Sequence, residues 1–185
     1  QVDRTTDPVT GFAFQSNYGV VFKKDSTHIV TGNISPNILA PGVAPDVQQA
    51  LSDRGCINHK SIGRLFNSIA FQSASGYQMV NAAGQMEDVG FQVRNAKGTC
   101  IGALLVKEDE HLRFYQSDEA TLVFDYQDKL WTTFNFNTIP NAAALSNRTG
   151  MAVLARNNEL LYEDADAYRD GDYTYHYTIR TAPLA

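Results

Sequence analysis

The residues best suited to chemistry form an acidic segment, EDADAYRDGDY, at positions 163–173. Its aspartates alternate with small or turn-forming residues, and carboxylate oxygens at alternate positions of a loop are ligands that calcium prefers. The calcium ligands would be Asp164, Asp166, Asp170 and Asp172. The spacing departs from the helix-loop-helix calcium loop, because Tyr177 stands where that loop needs a bidentate Glu when Gly171 is its sixth residue. We favour an acidic hairpin turn at Asp170-Gly171, with calcium binding as the alternative.

Motifs for catalysis are missing from the sequence. There is no G-x-S-x-G nucleophile motif and no glycine-rich phosphate loop. Cys56 and His59 have the spacing of half a zinc site, but the second half is missing. His111 follows the acidic run KEDE, which could orient an imidazole, although we favour the interpretation that KEDE is a hairpin tip and His111 begins the return strand. A hydrolase would therefore need a site assembled from residues far apart in sequence.

The two cysteines, Cys56 and Cys100, are an even number and favour one disulfide over two buried thiols. A bridge closing a loop of this length would stabilise the fold by roughly 3 to 4 kcal/mol. Gln1 suggests a cleaved precursor, and Asn33 and Asn147 begin glycosylation triplets. These features together predict a secreted or extracellular glycoprotein.

Composition limits the partners. The 185 residues carry 20 acidic and 15 basic side chains, for a net charge of -5, and the basic residues are scattered. Nucleic acid needs a concentrated basic surface, so we expect no nucleic-acid partner. No apolar run approaches the 18 or so residues of a membrane span, so we expect none. The length suits one domain, residues 1–185.

Short strand-like segments at intervals of roughly 8 to 12 residues predict a mainly β fold, an antiparallel β-sandwich or jelly roll. They are DVGFQVR, CIGALLV, HLRFYQ, TLVFDY, LWTTFNF, GMAVLAR and DYTYHYTIR. Apolar residues at helical spacing, such as Ile62, Leu65, Phe66 and Ile69, predict a short two-helix insertion at about residues 45–70. No internal repeat is evident from the sequence.

The opening segment GFAFQSNYGVVF alternates over about eleven residues, roughly twice the length of an ordinary strand. Its even-numbered residues would share one face and anchor a neighbouring subunit: Phe12, Phe14, Tyr18, Val20 and Phe22. The strand could equally pair within its own sheet. The final segment, DYTYHYTIR, also alternates, and edge strands of this kind recruit other chains.

One short resemblance concerns TDPVTGFAF followed by NYGVVF. These segments resemble the first strands of fungal haem-binding domains attached to sugar dehydrogenases. The resemblance implies haem held by Met79, Met86 or Met151 with His176. It covers about 20 residues, and the rest of the chain does not match a Trp- and Gly-rich region around an axial Met. We therefore predict no haem, and no cofactor other than the calcium considered above.

The sequence favours a secreted, non-enzymatic structural or assembly subunit of the fibre, pilus or coat type, which self-associates through terminal β-strands. The alternative is an extracellular carbohydrate-binding module, calcium-assisted or not, with a glycan ligand held by Trp131, Tyr173 and Tyr175. A second alternative is a hydrolase on a β-sandwich scaffold, for which no catalytic residue can be named.

Overall fold

The structure is a computed structural model of the chain. It describes residues 7–15, 18–31, 46–49, 54–96, 98–107, 110–118, 120–135, 141–145, 152–156, 159–162, 169–170 and 173–174. Strands dominate these residues, and each paired strand runs antiparallel to its neighbour. The predicted mainly β, antiparallel class is therefore confirmed.

The strands form consecutive sheets, and in each sheet the strand order follows the chain. Sheet A contains β1 (Val9–Phe14), β2 (Gly19–Lys23), β3 (Thr27–Thr31) and β4 (Asp46–Gln49). Sheet B contains β5 (Gly63–Leu65), β6 (Ser68–Ser73), β7 (Gly76–Val80) and β8 (Met86–Asp88). Sheet C contains β9 (Cys100–Val106), β10 (His111–Gln116), β11 (Ala120–Asp125) and β12 (Leu130–Asn135). Sheet D contains β13 (Ala142–Leu145), β14 (Ala152–Arg156) and β15 (Glu159–Tyr162), and β16 (Arg169–Asp170) pairs with β17 (Tyr173–Thr174).

The predicted two-helix insertion is wrong. Within the described ranges there is no α-helix, and the helical segments are single 3-10 turns at His59–Ser61 and Phe91–Val93. The helical spacing of Leu65 and Ile69 does not identify a helix here, because two short strands joined by a tight turn can also place apolar residues four positions apart. Leu65 faces sheet C while Ile69 faces sheet A, so these apolar residues lie on opposite faces of sheet B and form no single stripe.

Sheets A, B and C pack face to face around two apolar clusters. The cluster between A and B contains Ala13, Tyr18, Val20, Phe22, Ile29, Cys56, Ile69, Phe71 and Val80. The cluster between B and C contains Leu65, Ala70, Tyr77, Met79, Cys100, Leu112, Phe114, Leu122 and Phe124. Sheet B is therefore a middle layer with both faces buried, and consecutive apolar residues such as Ile69, Ala70 and Phe71 replace the period-2 alternation in β6.

Sheet D lies on the side of sheet C that faces away from sheet B. Strand β13 runs beside β9, and a Cβ placed on Gly102 would lie 3.4 Å from the Cβ of Ala143. Tyr115 and Val123, which point to this side of sheet C, are each only 1% exposed. Sheets A to D thus form four successive layers.

The first strands of successive sheets lie next to one another. A Cβ on Gly11 of β1 would contact Ile62, which directly precedes β5, and one on Gly63 of β5 would contact Ala103 of β9. Small residues at these positions let neighbouring sheets approach closely at one common side. Face-to-face packing fits the sandwich prediction, but the consecutive strand order differs from the Greek-key order of a jelly roll. Four-stranded meanders repeated in this way resemble the blades of a β-propeller.

Among the residues that the structure describes, no helix has the length and apolar character required to cross a membrane. The prediction that residues 1–185 form one domain stays a prediction.

Candidate functional site

The opening segment is a hairpin rather than one long strand. Strand β1 ends at Phe14, which pairs with Gly19 at the start of β2. Phe12 pairs with Val21 and Ala13 with Val20, so even-numbered residues of β1 share a face with odd-numbered residues of β2. The five predicted interface residues are consequently divided between two faces.

Tyr18, Val20 and Phe22 lie in the cluster between sheets A and B and are at most 7% exposed. The Tyr18 hydroxyl also donates a hydrogen bond to the main-chain oxygen of Asn81, at 2.7 Å. These three residues stabilise the protein's own core. Phe12 and Phe14 point the other way and are 62% and 56% exposed.

The face of sheet A that carries Phe12 and Phe14 is not covered by another described sheet, and we call it the A face. Its exposed β1 side chains are apolar, whereas His28 of β3 lies on it opposite Val21. Val9, 51% exposed, also lies on it, as the cross-strand partner of Lys23. Val21 is half-buried on the same face. Apolar side chains grouped in this way on one surface are typical of a protein interaction site.

A groove of about 580 Å³ follows the free edge of β1, which is the edge strand of its sheet. Phe12 and Phe14 line one side, and His59, Ile62 and Arg64 line the other. The free edge does not pair with any strand in the described part of the chain. A free strand edge flanked by apolar side chains can accept either an added strand or the face of another sheet.

The outward face of sheet D is also apolar, and we call it the D face. Val153 pairs with Tyr162 and Ala155 pairs with Leu160, which places these four side chains on the side away from sheet C. Leu160 is 60% exposed and Tyr162 is 67% exposed. The described layers therefore present an apolar surface at each end.

The predicted disulfide is not present, because both cysteines are free thiols. Cys56 lies between sheets A and B, whereas Cys100 lies between sheets B and C. Each thiol donates to a carbonyl two residues along its own chain, Cys56 to Asn58 at 3.1 Å and Cys100 to Gly102 at 3.2 Å. Burial raises the pKa of both thiols, that of Cys100 to about 12, so both remain protonated at neutral pH.

Trp131, predicted to stack on a glycan, packs against core aromatics. Its ring centroid lies 5.0 Å from that of Phe124 and 5.1 Å from that of Tyr77. The indole N–H donates to the main-chain oxygen of Val89, at 2.6 Å. With its ring and N–H engaged in these contacts, Trp131 fixes β12 against sheet B.

The histidine predicted to begin a return strand does so, because β10 starts at His111. Its Nδ1 is buried without a hydrogen-bond partner. Glu110, in the left-handed region at φ 60°, forms the turn before it. No group of three or more potential metal ligands occurs in the described ranges, which gives no support for zinc at Cys56 and His59.

Other predicted residues lie outside what the structure describes. The residues outside the described ranges include positions 164, 166 and 172 of the acidic segment, the glycosylation asparagines at 33 and 147, and residues 151, 175 and 176. Asp170 and Tyr173 are described only as main chain, paired across β16 and β17. The calcium site and the glycan role of Tyr173 and Tyr175 stay predictions. Met79 and Met86 lie on opposite sides of sheet B, packed into different clusters.

Sequence reasoning missed the structural repeat. The segments TGFAF, IGRLF and IGALL place Gly11, Gly63 and Gly102 on the first strand of successive sheets, roughly 40 to 50 residues apart. The signal was present in the sequence as a glycine followed by alternating apolar residues. The residues between these segments differ from sheet to sheet, so the structural repeat is not accompanied by an overall sequence repeat.

No protein-family model matches the sequence, and a comparison with curated proteins found no match. The structure is similar to the extracellular domain of the hybrid two-component system BT4673 from B. thetaiotaomicron, with TM-score 0.59 and 12% identity over 86% of this chain. A second structure, the extracellular domain of the one-component system BT4673 from the same organism, gives TM-score 0.56 and 10% identity over 93% of this chain. The chain spans 21% and 25% of those two proteins, respectively. At this identity the likeness concerns the fold alone.

Proposed function

We propose that the chain is a secreted, non-enzymatic assembly subunit that associates with further copies of itself through its terminal sheets. One observation carries the proposal. Phe12 and Phe14 are more than half exposed, whereas the apolar residues on the corresponding faces of sheets B and C are covered by the preceding sheet. Removing such an apolar face from water is favourable by roughly 25 cal/mol per Å².

The complementarity of the two ends favours a second copy as the partner. Within the chain, each of sheets B and C packs one face against the sheet before it and the other face against the sheet after it. The D face is the face of sheet D that a following sheet would contact, and the A face is the face of sheet A that a preceding sheet would contact. The D face of one copy and the A face of another can therefore pack as neighbouring sheets do. We therefore propose head-to-tail association, with Leu160 and Tyr162 of one copy near Phe12 and Phe14 of the next.

Head-to-tail contacts between unlike faces close into rings when the rotation permits and otherwise grow into filaments. Either product would suit the structural role, of the fibre, pilus or coat type, that the sequence favours. The similarity of the fold to extracellular domains supports a location outside the cell.

Two charge variants test the head-to-tail arrangement. Phe14→Asp would block the A face, and Leu160→Asp would block the D face. Each variant alone should be monomeric in analytical ultracentrifugation, whereas an equimolar mixture should form a heterodimer through the two intact faces. Phe91→Asp is the matched control, because Phe91 is 71% exposed on the 3-10 turn away from both faces, and it should assemble like the unmodified chain.

Two outcomes would contradict the arrangement. If Leu160→Asp alone still dimerised fully, the contact would join like A faces. If the mixture remained monomeric, neither the A face nor the D face would be an assembly surface.

A further inference from the structure

A second cleft lies between sheets B and C, at the end of the layers where three turns meet. The β5–β6 turn contributes Phe66 and Asn67, the β7–β8 turn begins at Asn81, and the β11–β12 turn contributes Tyr126 and Lys129. The cleft has a volume of about 470 Å³, within the range of small-molecule sites. We call it the turn-end cleft.

The floor of the turn-end cleft is apolar, because Leu65, Met79 and Phe124 are at most 8% exposed. Its wall carries an aromatic pair: the rings of Phe66 and Tyr126 lie 5.5 Å apart at an interplanar angle of 76°. Phe66 is nevertheless 61% exposed. An exposed aromatic ring beside an apolar floor offers a surface on which the C–H face of a ring-shaped ligand can pack.

Polar groups surround this aromatic wall. The Asn81 side-chain N–H donates to Glu87 Oε1 at 2.6 Å, which holds the carboxylate in place. The side-chain oxygen of Asn81 accepts from the main-chain N–H groups of Ala83 and Gln85, at 3.0 Å each. Burial, with the nearby Glu110 and Asp125, raises the pKa of Tyr126, so its hydroxyl remains protonated and can donate. Donors and acceptors therefore both line the cleft.

The walls are held in position by the neighbouring hairpin of sheet A. The side-chain amide of Gln15 donates to the main-chain oxygens of Ser68 at 2.8 Å and of Leu65 at 3.3 Å. The Tyr18 hydroxyl donates to the main-chain oxygen of Asn81 at 2.7 Å. Fixing the turns before a ligand arrives reduces the entropy lost on binding.

We propose that the turn-end cleft binds a neutral saccharide, with one sugar ring packed on Phe66 and its hydroxyl groups bonded to Glu87 and Lys129. The charge distribution supports this ligand class. A carboxylate and an ammonium on the same rim favour a ligand that both donates and accepts hydrogen bonds without a net charge. The proposal is independent of self-association, because the turn-end cleft shares no residue with the A face or the D face.

Saturation-transfer difference NMR on the full chain tests the proposal. The probes are glucose, galactose, mannose, fucose and N-acetylglucosamine, each supplied as the free sugar and as its methyl glycoside. We expect at least one probe to receive saturation, with the strongest transfer to protons on one face of the ring. Phe66→Ala should weaken binding by at least about tenfold and Glu87→Gln by a smaller factor.

Phe91→Ala removes another phenylalanine that is more than half exposed and lies outside the cleft, and it should leave the signal unchanged. The proposal would be overturned if none of the probes bound the unmodified chain. It would also be overturned if binding survived Phe66→Ala at full strength, or if Phe91→Ala abolished it equally. A circular dichroism melt of each variant identifies loss of the fold, and Glu87→Gln, which retains size and hydrogen bonding, then decides the role of the cleft.

Discussion

Phe12 lies opposite Val21 in the β1–β2 hairpin, and both side chains point to the A face. The next pair, Ala13 and Val20, points into the cluster between sheets A and B. A single hairpin therefore supplies one wall of the core and one apolar surface at the end of the layers.

The placement of Phe22 in the core and of Phe12 on the A face can be tested by measuring the free energy of unfolding of two alanine variants. Phe22 is 0% exposed, so Phe22→Ala should lower the free energy of unfolding by about 3 to 5 kcal/mol. Phe12 is 62% exposed, so Phe12→Ala should change it by less than about 1 kcal/mol. Urea unfolding of dilute protein, followed by circular dichroism, gives both values. Similar losses for the two variants would mean that the hairpin register is wrong.

Close approach of the main chain can be tested at two glycines. A Cβ on Gly55 would overlap the main-chain oxygens of Lys23 and Lys24, so Gly55→Ala should cost at least about 2 kcal/mol. A Cβ on Gly102 would make an ordinary contact at 3.4 Å with Ala143, so Gly102→Ala should be tolerated within about 1 kcal/mol. Thermal melts of the two variants compare these effects. Equal tolerance at both positions would contradict the packing of the segment before Cys56 against β2.

Free thiols predict a specific dependence on pH. Because burial raises the pKa of Cys100 to about 12, the folded state keeps its proton between about pH 9 and 12, whereas the unfolded state releases it. Stability should therefore fall as the pH rises through this interval, by up to about 1.4 kcal/mol per pH unit for each such thiol. Cys100→Ala should show a shallower fall than the unmodified chain in urea titrations at pH 8, 9 and 10.

The same thiols distinguish the structure from the disulfide interpretation. A reducing agent should leave the melting temperature unchanged, and a thiol reagent should label the folded protein far more slowly than the unfolded one. If reduction instead lowered the stability by several kcal/mol, that result would support a disulfide between Cys56 and Cys100 and contradict the free thiols.

Gln72 joins sheet B to the segment leading into sheet C. Its side chain donates to the main-chain oxygen of Gly98 and accepts from the N–H of Cys100, both at 2.8 Å. Gln72→Leu would leave two buried main-chain groups unpaired and should cost about 2 to 4 kcal/mol. Gln127→Leu, at an exposed turn, is the control and should change stability by less than about 0.5 kcal/mol. Equal effects of the two substitutions in urea unfolding would show that the Gln72 bonds contribute nothing.

The strand prediction succeeded where the apolar pattern was local. CIGALLV and HLRFYQ correspond residue for residue to β9 and β10, since each is bounded by turn residues that end the strand. It failed in sheet B, because both faces of β6 and β7 are buried and the period-2 pattern disappears. The segment DVGFQVR contains the 3-10 turn Phe91–Val93 rather than a strand.

The interface prediction shows a second limit. Alternation predicts which residues share a face only within one strand, and the turn between Phe14 and Gly19 exchanges the faces. Phe12 and Phe14 could be identified from sequence, but the burial of Tyr18 could not. The turn-end cleft was beyond sequence reasoning because its walls come from three turns of two sheets.

Native mass of the unmodified chain, measured by light scattering after gel filtration across a concentration series, tests the central claim most directly. Head-to-tail association predicts a mass that is a multiple of 20.4 kDa and rises with concentration or stops at a closed ring. Phe14→Asp should return that mass to a single chain. A constant mass of 20.4 kDa for the unmodified chain at every concentration would contradict the assembly role.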